Sequence, residues 1–123
     1  MTGIRGVVVG HGTLAAALIG AVELIAGTGT GLVAISNTDC DRGTLEERIE
    51  AAVGEGPALV FIDMPSGSCL FAAMHKLASM TGVRVVTGVN LAMLLEFAFH
   101  REGDVNEIAE HVATIGARAV VAR

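Results

Sequence analysis

Two side chains that can do acid–base and group-transfer chemistry stand at the ends of predicted strands. His11 follows Gly10 and the β-branched run Ile4–Val9. Asp63 follows the apolar run Ala58–Ile62. An imidazole that donates a hydrogen bond to a carboxylate from one ring nitrogen keeps the other nitrogen free as a nucleophile. If the two strands are neighbours, the sequence therefore predicts a nucleophilic histidine at the edge of a sheet.

The loop after Asp63 adds groups that suit an anion. Ser66, Gly67 and Ser68 supply two hydroxyls and several backbone N–H groups at the predicted start of a helix. Such a helix start attracts an anion, ideally a phosphate group. Gly12 follows the histidine and opens the first helical pattern. These residues together favour a site that handles phosphate or attacks as a nucleophile.

Each of these residues also has a structural interpretation. A histidine at a strand end is often structural, and Asp63, Gly67 and Ser68 can serve as cap or turn residues. A metal site is less favoured, because only two ligands are evident in the sequence. The glycine-rich run Gly27–Gly31 follows a helix and precedes a strand, which is the reverse of the order in nucleotide-binding loops, so we interpret it as a connector.

The composition favours one domain, residues 1–123, with an aliphatic interior built around small residues. The chain is 52% hydrophobic and contains 16 glycines but no Trp or Tyr. A net charge of -5, with no basic run, argues against binding to nucleic acid. Cys40 and Cys69 form neither a metal-binding spacing nor a disulfide framework, so we expect a cytoplasmic protein.

The apolar N-terminal segment resembles a signal peptide only superficially. Arg5 precedes apolar residues that continue to Ala17, but Gly10, His11 and Gly12 interrupt them. A strand followed by a helix fits this pattern better. No uncharged apolar run reaches the length of a transmembrane helix, so we expect no insertion into a membrane.

Strand-like runs alternate with helical patterns along the whole chain. This alternation predicts an α/β fold with a doubly wound, mainly parallel sheet of order 2-1-3-4 and helices on both faces. In that order the first and third strands are neighbours, so His11 and Asp63 share the crevice at the strand ends. The predicted strands are Ile4–Val9, Leu32–Ser36, Ala58–Ile62, Val83–Thr87 and Ala117–Ala122.

The predicted helices have recognisable starts and ends. Thr44 and Glu47 form a capping-box pair for the second helix. Asn90 is a good N-cap for the fourth helix, which ends near His100. The first helix runs from Leu14 to Gly27, the third covers about Ser68 to Thr81 with Gly82 behind it, and the fifth covers about Val105–Ile115 and ends at Gly116.

The fourth helix is apolar around most of its circumference, so it must be buried on more than one side. In a small domain this pattern favours a homodimer. The last strand, Ala117–Ala122, has no helix after it. It could therefore pair at the edge of the sheet in the same chain or be exchanged with the partner chain.

Several segments, in order and spacing, resemble a known family. They are Val8–Ala15 with Ala21–Gly27, then Asp63–Ala73, then Gly88–Glu96. They are similar to the corresponding motifs of the enzyme IIA component of the mannose/fructose/sorbose-family phosphotransferase system (PTS). The similarity spans essentially the whole chain.

The resemblance implies a phosphoryl carrier with a doubly wound sheet, whose dimers exchange the last strand. His11 would accept a phosphoryl group from the phosphocarrier protein HPr and pass it to an enzyme IIB partner. Asp63 would orient the imidazole, and Ser68 would lie at the phosphoryl pocket. We assign His11, Asp63 and Ser68 as catalytic, and Ser66, Gly67 and Gly12 as phosphoryl-binding, with no cofactor and no metal.

The chain departs from the family pattern at three positions. Ser66 stands in place of a glycine, and Cys69 and Ala92 stand in place of prolines.

Alternative functions remain open: a regulatory module whose phosphorylation state another protein reads, the phosphoryl-donor subunit of a dihydroxyacetone kinase, or an inert dimeric scaffold.

Overall fold

The computed structural model describes residues 3–123, which form a four-stranded parallel sheet with helices on both faces. The strand order is β2-β1-β3-β4, as predicted. The strands are β1 (Arg5–Gly10), β2 (Leu32–Ser36), β3 (Ala58–Ile62) and β4 (Val83–Thr87). The helices are α1 (Leu14–Ala26), α2 (Arg42–Val53), α3 (Ser68–Leu77), α4 (Leu91–Phe99) and α5 (Val105–Arg118).

The register of the central strands brings the ends of β1, β2 and β3 to one edge. Val9 pairs with Ile62 of β3. Gly10 pairs with Ser36 of β2. The residues that follow these strands therefore meet at the carboxyl edge of the sheet, where open α/β folds bind their ligands.

Alternation along β1 sends its side chains into two separate apolar cores. Val8 packs with α1, α4 and α5 on one face of the sheet. Val7 and Val9 pack with α2 and α3 on the other face. Because successive residues of a strand point to opposite faces, one short valine run supports both layers. Every residue of β3 is buried, as expected for a central parallel strand.

An aromatic pair fills the core beneath α4. Phe97 is fully buried and meets Phe61 of β3 edge-to-face, with ring centroids 5.3 Å apart. Gly6 of β1 makes room for this ring, since a Cβ there would lie 2.7 Å from Cε2 of Phe97. The absence of a side chain at Gly6 thus lets α4 pack close to the sheet.

Two helix boundaries differ from the prediction. Asp41, rather than Thr44, caps α2, because its carboxylate accepts a hydrogen bond of 2.8 Å from the Thr44 N–H. Helix α3 ends at Leu77 rather than at Thr81. The predicted C-terminal residue Gly82 instead accepts a hydrogen bond from Ala58 N–H, which ties it to the start of β3.

The predicted fifth strand, Ala117–Ala122, is wrong for the single chain. Helix α5 continues through Gly116 and ends at Arg118, so the first two residues of that strand are helical. Gly116 does not end the helix; it is a close packing point, since a Cβ there would lie 2.5 Å from Cε of Met93. Within residues 3–123, the segment 119–123 pairs with no strand.

The sequence predicts no membrane-spanning helix. None of the helices within residues 3–123 is both long enough and apolar enough to cross a bilayer.

The aromatic core gives a prediction for stability. Phe97→Ala should lower the free energy of unfolding by about 3–5 kcal/mol, because it leaves a cavity between α4 and the sheet. Phe99 lies on the same helix but is 64% exposed, so Phe99→Ala should change the free energy of unfolding by only about 0.5 kcal/mol. Urea unfolding of dilute protein measures both, and equal losses would contradict the assignment of Phe97 to the core.

Candidate functional site

The ends of β1 and β3 bring His11 and Asp63 into direct contact. Nδ1 of His11 lies 2.7 Å from Oδ2 of Asp63. The same oxygen accepts a second hydrogen bond, of 3.0 Å, from the backbone N–H of His11. One carboxylate oxygen therefore fixes both the main chain and the ring of the histidine.

This contact determines which ring nitrogen is free. An ionised carboxylate only accepts hydrogen bonds, so Nδ1 of His11 must carry the proton that is shared with Asp63. In the neutral ring, Nε2 then keeps its lone pair. The His11 side chain is 45% exposed and the Asp63 side chain only 7% exposed. The arrangement is thus a solvent-accessible imidazole whose Nδ1 is hydrogen-bonded to a buried carboxylate.

The charge on Asp63 reflects two opposing effects. Burial raises the pKa of its carboxyl group, but hydrogen bonds from the ring and backbone of His11 lower it, and the net shift is below the usual 3.8. The carboxyl group therefore stays ionised at neutral pH. Its second oxygen, Oδ1, is buried and has no hydrogen-bond partner within residues 3–123.

The loop after Asp63 leads directly into α3. Gly67 adopts a φ of 96°, which favours glycine, and is the residue immediately before the helix. Ser66 and Ser68 are exposed on either side of it. In the part of the chain that the structure describes, no hydrogen bond joins either serine to the ring of His11. The first backbone N–H groups of α3 have no partner within the helix and are available to an anion.

Cys69 is the residue of this region that the sequence did not assign to the site. Its Sγ lies 3.9 Å from Nδ1 of His11, and the residue is fully buried. Burial, together with the negative charge of Asp63, raises the pKa of the Cys69 thiol. The thiol is therefore protonated at neutral pH and is not a nucleophile on its own.

The end of β2 supports the backbone on the other side of His11. Asn37 Oδ1 accepts a hydrogen bond of 3.3 Å from Gly12 N–H, and Ser36 Oγ donates one of 2.7 Å to the Gly12 carbonyl. Gly12 itself has a φ of 59°. The sequence analysis missed Ser36 and Asn37, although the predicted strand order places the end of β2 beside that of β1.

The segment Gly88–Glu96 positions a helix rather than the reacting groups. Asn90 caps α4 by accepting a hydrogen bond from Met93 N–H. Its side-chain amide donates to the carbonyl of Gly116 at 3.0 Å, which ties α4 to α5. Val89 N–H donates to the carbonyl of Ile62, next to Asp63.

The remaining three histidines pair with carboxylates elsewhere. His75 lies 3.1 Å from Glu46. His100 and His111 both contact Oε2 of Glu96, at 3.2 and 2.6 Å. All three are exposed.

The lowered pKa of Asp63 predicts a pH dependence of stability. A carboxyl group with a lower pKa in the folded chain stabilises that state above its unfolded pKa, and the stabilisation is lost as the pH falls through the folded value. The free energy of unfolding of the wild type relative to Asp63→Asn should therefore decrease from about pH 5 downward. Urea unfolding at a series of pH values, in buffer with a chelator, measures this difference.

The exposed Glu55 supplies the matched control for that measurement. Glu55→Gln removes the same negative charge without touching the site. If the free energy of unfolding of the wild type relative to Asp63→Asn increased on acidification, the result would contradict the lowered pKa of Asp63.

Comparisons with known proteins find a family whose model covers most of the chain. The family described as PTS system fructose IIA component matches residues 6–115. A mannose/sorbose specific IIA subunit of the phosphotransferase system from Enterococcus faecalis has 28% sequence identity and a TM-score of 0.87, over 99% of this chain and 96% of that chain. No curated protein sequence matches this chain.

Two further solved structures share the fold at lower identity. The phosphotransferase system component EIIA from Streptococcus agalactiae has a TM-score of 0.90 and 23% identity, over 97% of this chain and 96% of that chain. The PTS IIA protein associated with the fucose utilization operon from Streptococcus pneumoniae has a TM-score of 0.82 and 18% identity, over 99% and 96%. The family match, which covers most of the chain, shows that this protein belongs to the fructose/mannose-type IIA components of the PTS.

Proposed function

We propose that this protein carries a phosphoryl group on Nε2 of His11 within the sugar PTS. Membership of the IIA family supports a role in phosphotransfer. The observation that carries the finer proposal is the contact of 2.7 Å between Nδ1 of His11 and Oδ2 of Asp63. It leaves the other ring nitrogen as an acceptor on an exposed side chain.

The transfer is a displacement at phosphorus between two nitrogens. The lone pair of Nε2 attacks the phosphorus of a donor phosphohistidine, the donor's N–P bond breaks, and its electron pair returns to the donor ring. The new N–P bond on His11 resembles the one that was broken, so the reaction is nearly thermoneutral and runs in either direction. Such transfer depends mainly on positioning and on charge stabilisation.

Asp63 contributes through the ring rather than by touching phosphorus. Its ionised carboxylate stabilises the positive charge that develops on the imidazole as Nε2 attacks. It also holds the tautomer that leaves Nε2 unprotonated. Its low exposure keeps this interaction out of bulk water, which increases its strength.

The phosphoryl oxygens need donors, and the start of α3 can provide them. We assign Ser68, with the backbone N–H groups around Gly67, as partners of the equatorial oxygens. Ser66 adds a hydroxyl beside them, and Gly12, whose N–H donates to Asn37 in the unphosphorylated chain, lies next to the histidine. A side-chain Cβ at Gly12 or Gly67 would meet no atom within 4 Å, so the space around both is open.

The partners follow from the family. The IIA family implies exchange with HPr and with an enzyme IIB protein, and we propose that HPr is the donor and IIB the acceptor. We also propose that the protein works in the cytoplasm without a cofactor. Ser66, Cys69 and Ala92, which depart from the family pattern, bear on which partners are recognised rather than on the transfer itself.

The direct test is formation of the phosphohistidine. Incubation with phosphoenolpyruvate, enzyme I and HPr should add a mass of about 80 Da, for one phosphoryl group, that is lost in acid and maps to His11. His11→Ala should give no such adduct, because it removes the imidazole of the site, and a phosphate ester on Ser66 or Ser68 would survive acid. Intact-protein mass spectrometry and peptide mapping measure both.

His75 provides the matched control, since it is an exposed histidine paired with a carboxylate outside the site. His75→Ala should be phosphorylated like the wild type. A wild type without an adduct would rule out the proposed carrier function and favour an inert scaffold, whereas an undiminished adduct in His11→Ala would place the phosphoryl group on another residue and rule out His11 as its carrier.

We further propose that the active form is a homodimer in which residues after α5 pair with the partner. Strand β4 is an edge strand, with no neighbour on its outer side within residues 3–123. Val120 and Val121 are 79% and 59% exposed, although β-branched residues favour strands. An exposed apolar tail and a free sheet edge are complementary surfaces.

Removal of residues 119–123 should therefore convert a dimer to a monomer. Light scattering coupled to size-exclusion chromatography measures the mass of each form. Val120→Asp with Val121→Asp should have the same effect while keeping the chain length. A full-length monomer at working concentration, or an unchanged dimer after truncation, would contradict this arrangement.

A further inference from the structure

The fold brings three different metal-binding side chains to one point at the end of β1. His11, Asp63 and Cys69 each offer a ligand atom, and these atoms all lie within 4.8 Å of one another. The three residues come from two strand ends and the first turn of α3. Their spacing in the chain resembles no metal motif, and a third ligand is not predicted from it.

We propose that Nδ1 of His11, the carboxylate of Asp63 and Sγ of Cys69 bind one Zn²⁺ ion, and that the bound ion prevents His11 from accepting a phosphoryl group. The metal site itself is independent of the proposed function. Only the inhibition rests on it.

One of the distances between the ligand atoms is close to that of a tetrahedral site. With Zn–N near 2.0 Å and Zn–S near 2.3 Å, the two ligand atoms should be about 3.6 Å apart. Sγ of Cys69 and Nδ1 of His11 are 3.9 Å apart. Nδ1 and Oδ2 of Asp63 are 2.7 Å apart, so this pair must open by about 0.6 Å to admit the ion between them.

The unpartnered oxygen of Asp63 is an independent sign of a missing ligand. Only 7% of this side chain is exposed, and Oδ1 is buried without a hydrogen bond in the described part of the chain. A buried carboxylate oxygen without a partner is costly. A cation that contacts both oxygens of this carboxylate would satisfy it.

The donor set selects the kind of metal. A thiolate, an imidazole and a carboxylate together suit Zn²⁺, whereas Mg²⁺ and Ca²⁺ prefer oxygen ligands alone. Three protein ligands also leave the fourth tetrahedral position to water. Cys69 supplies the soft ligand at a position where the family pattern, as read from the sequence, has a proline.

Metal binding at Nδ1 would change the state of the other ring nitrogen. The Cys69 thiol releases its proton to solvent when it binds the ion. The proton on Nδ1 is displaced, and the neutral ring carries its single proton on Nε2 instead. The overall exchange is one Zn²⁺ bound for one proton released, and Nε2 no longer has the lone pair that must attack phosphorus.

Cobalt tests the site without any phosphoryl donor. Addition of Co²⁺ to metal-free protein should produce a thiolate-to-cobalt charge-transfer band, and Zn²⁺ should abolish it by displacement. Cys69→Ala and Cys69→Ser should both lose the band and bind Zn²⁺ roughly 100-fold more weakly, since even residues behind a metal ligand contribute 10- to 100-fold.

Cys40→Ser is the matched control, because Cys40 is the other free cysteine and lies outside the ligand set. It should keep both the band and the affinity. Circular dichroism checks that each variant is folded. Wild type without a thiolate band, or with the same Zn²⁺ affinity as a folded Cys69→Ser variant, would overturn the metal site.

The inhibition is measured with purified phospho-HPr, so that enzyme I is absent. Saturating Zn²⁺ should lower the initial rate of phosphorylation of the wild type at least about tenfold, and a chelator should restore it. The ratio of rates with and without Zn²⁺ should return to near one in Cys69→Ser. Equal inhibition of both proteins would overturn the inhibitory role.

Failure of the proposed function would be visible separately. A wild type that is not phosphorylated in the absence of zinc contradicts the carrier function and, with it, the inhibitory role. The cobalt band then still decides the metal site.

Discussion

The pairing of β1 with β3 is the constraint on which the site depends. Because Val9 lies opposite Ile62, the residues that continue the two strands leave the sheet side by side. The carboxylate of Asp63 then reaches both the backbone N–H and the ring of His11 through one oxygen. A shift of β1 against β3 by one residue would direct the side chains that follow the two strands to opposite faces of the sheet and so separate them.

The two cores maintain this register from opposite sides. Side chains along β1 and β3 point alternately to the two faces of the sheet. Each layer of helices therefore packs against different residues of the same strands. Small residues set the spacing: Gly6 admits Phe97 beneath α4, and Gly116 admits Met93 between α4 and α5. The site thus lies at the rim of a sheet that is covered on both faces, while its reacting side chain remains accessible.

Much of the fold could be predicted because it depends on local patterns. Three of the four strands match their predicted bounds, since short β-branched runs between glycines and polar loops have few other interpretations. The alternation of strands and helices predicts a parallel sheet, and the common order 2-1-3-4 then brings His11 to Asp63, as observed. The family itself was recognised from motifs in sequence order.

The errors arise where tertiary contacts override local signals. Gly116 has the residue type of a helix end, but its small size serves helix packing, so α5 continues through it. Asp41 competes successfully with Thr44 for the start of α2. The position of Cys69 behind the histidine depends on the angle at which α3 leaves the loop, which no spacing in the sequence encodes.

The anchoring of His11 along one side of its ring has a consequence for the order of events. Asp63 occupies the Nδ1 side, so a molecule that exchanges a group with Nε2 approaches the exposed part of the ring from solvent. If His11 carries the phosphoryl group as proposed, its donor and its acceptor both need the exposed Nε2 and cannot be bound there together. The phosphoryl group would then stay on His11 between the two binding events, and the surface around the ring would have to recognise two different partner proteins.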